Sequence, residues 1–464
     1  MILWYIFSSR KLQANDYLYY MSNIGLTKSK SLHHKSYLSD LTKFYLIFLE
    51  NPMNYTTKTI NWLTCLFYDM PNATSITTQL FVKAGSIYED ESTSGLSHFL
   101  EHMFFKWWVR YPTSQDVSRV IDEIGWEHNA YTSDDVASYY IKTAPEYVWL
   151  AIDVLSDMIT NSQFPADELA TEQWVVVQEI KMYEDNPARL IYSLRRKRYM
   201  GDNPYGRPVI GTEANVLSFT QQMLLDHRNH LYTTHSMILV VCGKLGDADH
   251  ITSIESMIAQ YFVGMQTWPG WSKPDRSCIA RPSQKLWYYT KGTEQNHMVI
   301  ATEWYKYGSD EFYPAKLLGT IMGGNTSSRF WQLLRERNGL CYYASVGHYG
   351  DGDDGVFMIR AGLNKDGFDQ TIELIRGELS SIATGSSITQ VELDQARGYL
   401  IGTLQMWLET SSDMSERIGS DYLLYGKVDT IEDIIAAYRA VTLDQIQQIA
   451  GKLIWDNWYT YYIE

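Results

Sequence analysis

The chain has 464 residues, 45% of them apolar and 20% charged, which is enough for two or three domains of an ordinary globular protein. Its 54 acidic residues against 39 basic ones leave a formal net charge of −15, which argues against a nucleic-acid partner and suits cationic ligands. Cys65, Cys242, Cys278 and Cys341 lie far apart with no CxxC, so they read as reduced core residues, and no apolar run reaches the length of a membrane span.

In chain order, residues 1–52 carry no clear period. The opening "MILWYIFSSRK" has its positive charges after the apolar run, which makes a poor signal peptide. Strand-like alternation begins at Met53, so residues 1–52 read as an extension or the product of a wrongly chosen start codon. Strand, turn, strand follow to about residue 90. Helices are predicted at 95–106 and 114–124, strands at 128–133 and 137–143, and long helices at 146–160 and 165–185. A strand at 236–243 precedes a helix at 248–261. The segment 265–284, rich in Pro, Gly and Ser, reads as an interdomain linker between domains at 53–264 and 285–464.

After the linker the order starts again. "NHMVIATEWYKYG" resembles "SITTQLFVKAGS", with helices at 312–321 and 326–338, strands at 340–349 and 355–363, and helices at 366–383 and 388–409. One α+β design used twice is the expectation, each half a sheet covered by helices on one face.

The stretch "GLSHFLEHMFFKWWVRYP" carries the chemistry. On a helix, His98 and His102 stand one turn apart on one face and both reach a single metal ion, while Glu101 projects beside it. Two imidazoles and a carboxylate suit zinc, which brings the pKa of a bound water toward neutrality so that a carboxylate can take the proton. The apolar flanks tell against two ordinary surface histidines. A third ligand is needed, and the helix "PADELATEQWVVVQEIKMYEDNP" offers Glu172 and Glu179, seven apart on one face; one can bind the metal while the other orients a ligand.

HxxEH is the inverse of the commoner HExxH. "GLSHFLEHMFFK", "NAYTS", "VVQEIKMYEDNP" and "PYGRPVIGTE" together closely resemble the pitrilysin/insulinase family of zinc peptidases, with the nearest branch the mitochondrial-processing-peptidase type and its bacterial relatives. The resemblance runs from about Met53 to the C-terminus. It implies an α+β fold of two homologous domains, each a mostly antiparallel sheet covered by helices, and one Zn2+ per chain. It makes His98, His102 and Glu179 the metal ligands, Glu101 the general base and Glu172 the carboxylate behind the ligands. "SSRFWQLLRERNGLCYYAS" resembles the family segment whose Arg and Tyr face the metal across a cavity, which carries over to Arg335 and Tyr342. Asn129, Ala130 and Tyr131 match the edge strand on which an extended substrate pairs.

The expected function is zinc-dependent endopeptidase activity on unfolded or short peptides inside a chamber. The partners implied are peptide substrates and a second copy or a related chain, in the bacterial cytoplasm. The alternative is a non-catalytic subunit or peptide-binding scaffold of the same fold; the intact HxxEH favours the enzyme.

Fifteen tryptophans, as many as phenylalanines, include seven at positions where the family pattern has glycine: Trp62, Trp107, Trp108, Trp126, Trp174, Trp304 and Trp407. Trp62 falls in a hairpin position that usually reads Asn-Gly, and Trp126 at a helix end that favours a left-handed residue. Either these are tryptophans that fill cavities or line the substrate chamber or, as expected here, their codons are UGA, read as glycine as in some uncultivated bacteria. Trp62→Gly and Trp126→Gly should then each relieve a strained turn.

Overall fold

The structure is a computed structural model that describes residues 55–464 apart from 107, 124, 269–271, 277–280 and 385–386. The reading of residues 1–52, Trp107, Cys278 and parts of the linker therefore falls outside the described residues.

The first half begins with β1 (Thr56–Ile60), β2 (Leu63–Asp69) and β3 (Ile76–Val82). Asn61 and Trp62 join β1 to β2 at φ 50 and 69, the two left-handed residues of a tight hairpin turn, as the Asn-Gly pattern predicts. Then come α1 (Leu96–Phe104), α2 (Ser114–Asp122), β4 (Glu127–Thr132), β5 (Ala137–Thr143), α3 (Val148–Asn161) and α4 (Ala166–Asp185). A helix absent from the sequence reading follows, α5 (Pro187–Met200), opened by Asn186 as cap and by Pro187 in its first turn. The half ends with α6 (Glu213–Ser218), α7 (Gln221–Leu231), β6 (Met237–Gly243) and α8 (Ala248–Tyr261).

The second half contains β7 (Leu286–Tyr289), β8 (Asn296–Glu303), α9 (Phe312–Gly323), β9 (Cys341–Gly350), β10 (Gly355–Leu363), α10 (Phe368–Ala383), α11 (Gln390–Trp407), α12 (Ser411–Tyr425), α13 (Ile431–Ala440), α14 (Leu443–Ala450) and β11 (Tyr459–Ile463). The helix predicted at 326–338 is wound as a π-helix over Trp331–Arg337.

The sheets run β1-β2-β6-β3-β5-β4 and β7-β11-β8-β10-β9. Remove β1 and the two orders superpose strand for strand. In each the one parallel pair is the second of these strands with its outer neighbour: β2 with β6, and β7 with β11. One design is used twice, with β4 and β9 as equivalent edges.

The central strands β3, β6 and β11 are buried at every residue, and β8 at all but its last, because both faces of each sheet are covered and not one as expected. On one face of the first sheet Leu80, Tyr139 and Leu239 share a core with residues of α1, α3 and α4. The opposite face receives α12, a helix of the second half, so close that a Cβ on Gly419 would lie 2.0 Å from the Phe81 ring. The second sheet is covered reciprocally. Met298, Ile300, Phe357 and Ile359 face the second half's own helices, whereas Val299, Ala301, Tyr459 and Tyr461 pack against Ile191 and Tyr199 of α5. Each half lends the other a helix.

The tryptophan expectations divide. Trp62 does sit in left-handed backbone and is 71% exposed. For Trp126 the expectation is corrected: the left-handed residue is Gly125, at φ 61, while Trp126 itself lies in the core with an indole N–H that meets no partner among the described residues. Trp108 is fully buried and donates its indole N–H to the Phe104 carbonyl. Trp304 packs on Phe357, and Trp174 and Trp407 are exposed.

Candidate metal centre and active site

The first turn of α1 is held by a buried acid. Glu89 accepts hydrogen bonds from the backbone N–H groups of Gly95 and Ser97, 2.7 Å each, two of the donors a helix start leaves unpaired. Leu96, Phe99, Leu100, Met103 and Phe104 bury one face of α1, which leaves His98, Glu101 and His102 half-buried on the other.

α4 packs against α1 through a shared core that includes Val176, Val177 and Ile180. That packing brings Glu179 to the histidines: its Oε2 lies 3.7 Å from Nε2 of His98 and 3.5 Å from Nε2 of His102. One ligand atom from each of the three residues lies within 4.8 Å of the other two. Bonds of about 2.0–2.1 Å in a tetrahedral site place ligand atoms about 3.3 Å apart, so the residues present fit a zinc ion with little movement. Glu172, its side chain 5% exposed, lies 2.9 Å from His102 Nδ1 and forms an ion pair with Lys106 Nζ at 2.6 Å. A carboxylate at Nδ1 keeps the proton there and turns the Nε2 lone pair toward the cluster.

The electrostatics ask for a cation. Burial, and then the neighbouring His102, lower the pKa of His98 and hold it neutral, the form that binds a metal. Burial also opposes a proton on His102, but Glu172 and Glu179 outweigh it and raise that pKa. Burial raises the Glu101 carboxyl against the hydrogen bond from Thr132, whose Oγ1 donates to Glu101 Oε2 at 2.5 Å.

β4 is the edge of its sheet and pairs with β5 alone among the described strands, so the outward backbone groups of its alternate residues, Ala130 between Asn129 and Tyr131, face no strand, and the Ala130 N–H donates to Asn129 Oδ1 at 2.9 Å. Tyr131 donates its hydroxyl to Glu416 of α12 at 2.6 Å, and the other oxygen of Glu416 accepts from Gln79 at 2.7 Å.

Arg335 and Tyr342 are brought together in the second half. The Arg335 guanidinium lies 4.4 Å from the Trp331 ring centroid and 5.5 Å from that of Tyr342, and Tyr342 is 71% exposed. Among the described residues no hydrogen bond or ion pair joins this pair to the histidine cluster.

Two participants escape the sequence reading. Lys106 neutralises Glu172, and Thr132 holds Glu101. Thr132 stands in the quoted "NAYTS", and strand alternation puts it on the face of Ala130, which the fold turns toward α1.

Residues 65–213 match the insulinase family (peptidase family M16), and residues 218–400 match the peptidase M16 inactive domain. An uncharacterized zinc protease of Bacillus subtilis (strain 168) is 32% identical over 389 residues, 84% of this chain and 92% of its own length. One of Rickettsia bellii (strain RML369-C) is 30% identical, over 85% of this chain and 93% of its own. A protease from Helicobacter pylori has the same fold, with a TM-score of 0.80 at 20% identity over 89% of this chain and 100% of that one. A peptidase M16 inactive domain from Pseudomonas fluorescens also reaches 0.80, at 18% identity over 88% of this chain and 97% of that one. The chain belongs to the insulinase family of peptidases, peptidase family M16.

Proposed function

We propose that this chain is a zinc-dependent endopeptidase of the HxxEH type that cleaves unfolded or short peptides. The observation that carries the reading is the convergence of His98, His102 and Glu179 on one point, with Glu172 behind His102 and Glu101 beside it. His98, His102 and Glu179 hold one zinc ion per chain; when bound, it supplies Lewis acidity toward water and the peptide carbonyl. Every other part belongs to the protein.

An extended peptide adds to β4, its backbone pairing along the edge at Asn129, Ala130 and Tyr131, where it takes the Ala130 N–H from Asn129 Oδ1. Glu101 accepts a proton from the attacking water as the C–O bond forms and returns it to the amine nitrogen as the C–N bond breaks. Glu172 keeps His102 in the tautomer that leaves Nε2 free. Arg335 and Tyr342 donate hydrogen bonds to the substrate carbonyl as negative charge develops on it. The exposure of Tyr342 and the stacking that holds Arg335 beside it support that role. A second copy or a related chain closes the chamber that admits flexible peptides and keeps folded proteins out.

The test is digestion of a peptide library by the zinc-loaded protein, with and without a chelator, beside Glu101→Gln. Cleavage that is lost on chelation, restored by zinc and absent from a zinc-loaded Glu101→Gln variant is the expected result. A wild-type protein that binds zinc and cuts no peptide would leave the chain a peptide-binding scaffold of the same fold.

A further inference from the structure

The hydrogen bond between Thr132 and Glu101 joins two parts of the site that the reaction has to bring together. Alternation along β4 settles which way Thr132 faces. His128 meets the Phe105 ring at 5.9 Å, Ala130 packs against the core that contains α1, and Thr132 meets Glu101, all on one side. Tyr131 points the other way, to Glu416. The hydroxyl that touches Glu101 therefore belongs to the strand on which a peptide would pair.

Its carrier is held from several directions. Thr132 pairs with Ala137, and the turn beyond is closed by Ser133 N–H to the Val136 carbonyl at 2.7 Å. The carbonyl of Asp134 accepts from Ile87 N–H at 2.9 Å, Arg196 binds the Asp134 carboxylate, and Lys273 binds that of Asp135 at 2.9 Å. A hydroxyl on so constrained a turn is a fixed reference point. Glu101 is its complement, a carboxylate at the end of two rotatable carbons. Thr132 takes its Oε2, while Oε1 accepts no hydrogen bond among the described residues.

We propose that Thr132 is a positioning residue for Glu101, holding one carboxylate oxygen so that the other is presented for proton transfer to a peptide lying on the same strand. The inference rests on the reading of Glu101 as the proton carrier. The proton balance is that of the reaction itself: one proton leaves the water for the carboxylate and then passes to the amine, and Thr132 keeps its own. A misplaced base loses turnover without losing substrate, because backbone pairing on β4 does not use the Thr132 side chain.

The experiment compares Thr132→Val, which keeps the shape and removes the hydroxyl, with Thr132→Ser, which keeps the hydroxyl. Each is assayed for zinc content, for kcat and KM on a fluorogenic peptide cleaved by the wild type, and for the position of Glu101 in a crystal structure. The expected result is a fall in kcat on the order of 10–100-fold for Thr132→Val, with zinc content unchanged and KM within about twofold. Thr132→Ser should stay within about threefold of wild type, and Glu101 should leave its place in the valine variant alone. Should Thr132→Val fail to fold, Thr132→Ala takes its place against the same serine control. A valine variant with wild-type kcat, a loss that tracks loss of zinc, or a serine variant as slow as the valine one overturns the inference while the peptidase reading stands. A wild-type protein that cleaves no peptide overturns that reading and this inference together.

Discussion

At the scale of single residues, Glu172 and Glu179 share a helix face and differ in what they touch. Only Glu179 lies close to both Nε2 atoms, whereas Glu172 stands behind His102 and is already neutralised by Lys106. Glu179→Gln should therefore release zinc on dialysis, while Glu172→Gln should keep it with affinity lowered by about 10–100-fold; equal metal content in the two variants would contradict this division. Arg335→Ala and Tyr342→Phe should each lower kcat on a peptide substrate by about 10-fold or more and leave bound zinc unchanged, as expected of groups that meet only the substrate. The HxxEH spacing made the histidines and Glu101 legible, because one helical turn fixes their mutual positions. Which of Glu172 and Glu179 came closer was not in the spacing, since both satisfy it. Thr132 was missed because a hydroxyl in a strand carries no pattern until the partner helix is in place. The tryptophans make the same point. Left-handed backbone at Trp62 could be read from the Asn that precedes it, so Trp62→Gly should raise the denaturation midpoint, worth about 1 kcal/mol. At Trp126 the helix-end logic fails, because the preceding Gly125 already takes the positive φ and the indole fills core. Trp126→Gly should cost about 3 kcal/mol by the same measurement.

At the scale of elements, most of the repeat was visible because period-2 and period-3.6 runs alternate in the same order in both halves. Of the elements that escaped, α6, α7, β7, α13, α14 and β11 among them, α5 and α12 share one physical reason. Each is polar along much of its length and turns a narrow buried stripe, Ile191 and Tyr199 in α5 and Ser411, Met414, Ser415, Ile418, Gly419 and Leu423 in α12, to a sheet face of the other half. Neither apolar stripe has a local partner to suggest it. Small residues let α12 lie flat on its sheet: Ser411 reaches Thr77 at 2.8 Å and Ser75 at 3.0 Å, and Gly419 abuts the fully buried Phe81. Gly419→Leu has no space to occupy and should destabilise the protein by about 1–3 kcal/mol or prevent its folding. Expression as soluble protein and a denaturant midpoint check this, and a variant of unchanged stability would mean that α12 can lift from the sheet.

At the scale of the whole molecule, residues 273–276 of the segment read as a linker are tied to both halves. Lys273 pairs with Asp135 of the first half and Asp353 of the second, 2.9 Å each, and Arg276 pairs with Asp354 at 2.6 Å. The Tyr205 hydroxyl donates to the Pro274 carbonyl at 2.7 Å. Composition reveals that a stretch is not helix or strand; it cannot reveal which carboxylates wait on two distant hairpins. Among the described residues no helix is long and apolar enough to cross a membrane. The exchange of α5 and α12 has a further consequence for how the protein comes apart. A polypeptide whose halves each keep the other's sheet dry has no intermediate in which one half stands folded alone, since that half would expose one face of its central strands and lose a helix in the same step. Calorimetry should record one cooperative transition. A protease cut within 265–284 should leave two fragments that travel together on size exclusion until denaturant is added, so that covalent continuity, there, is dispensable to the native state.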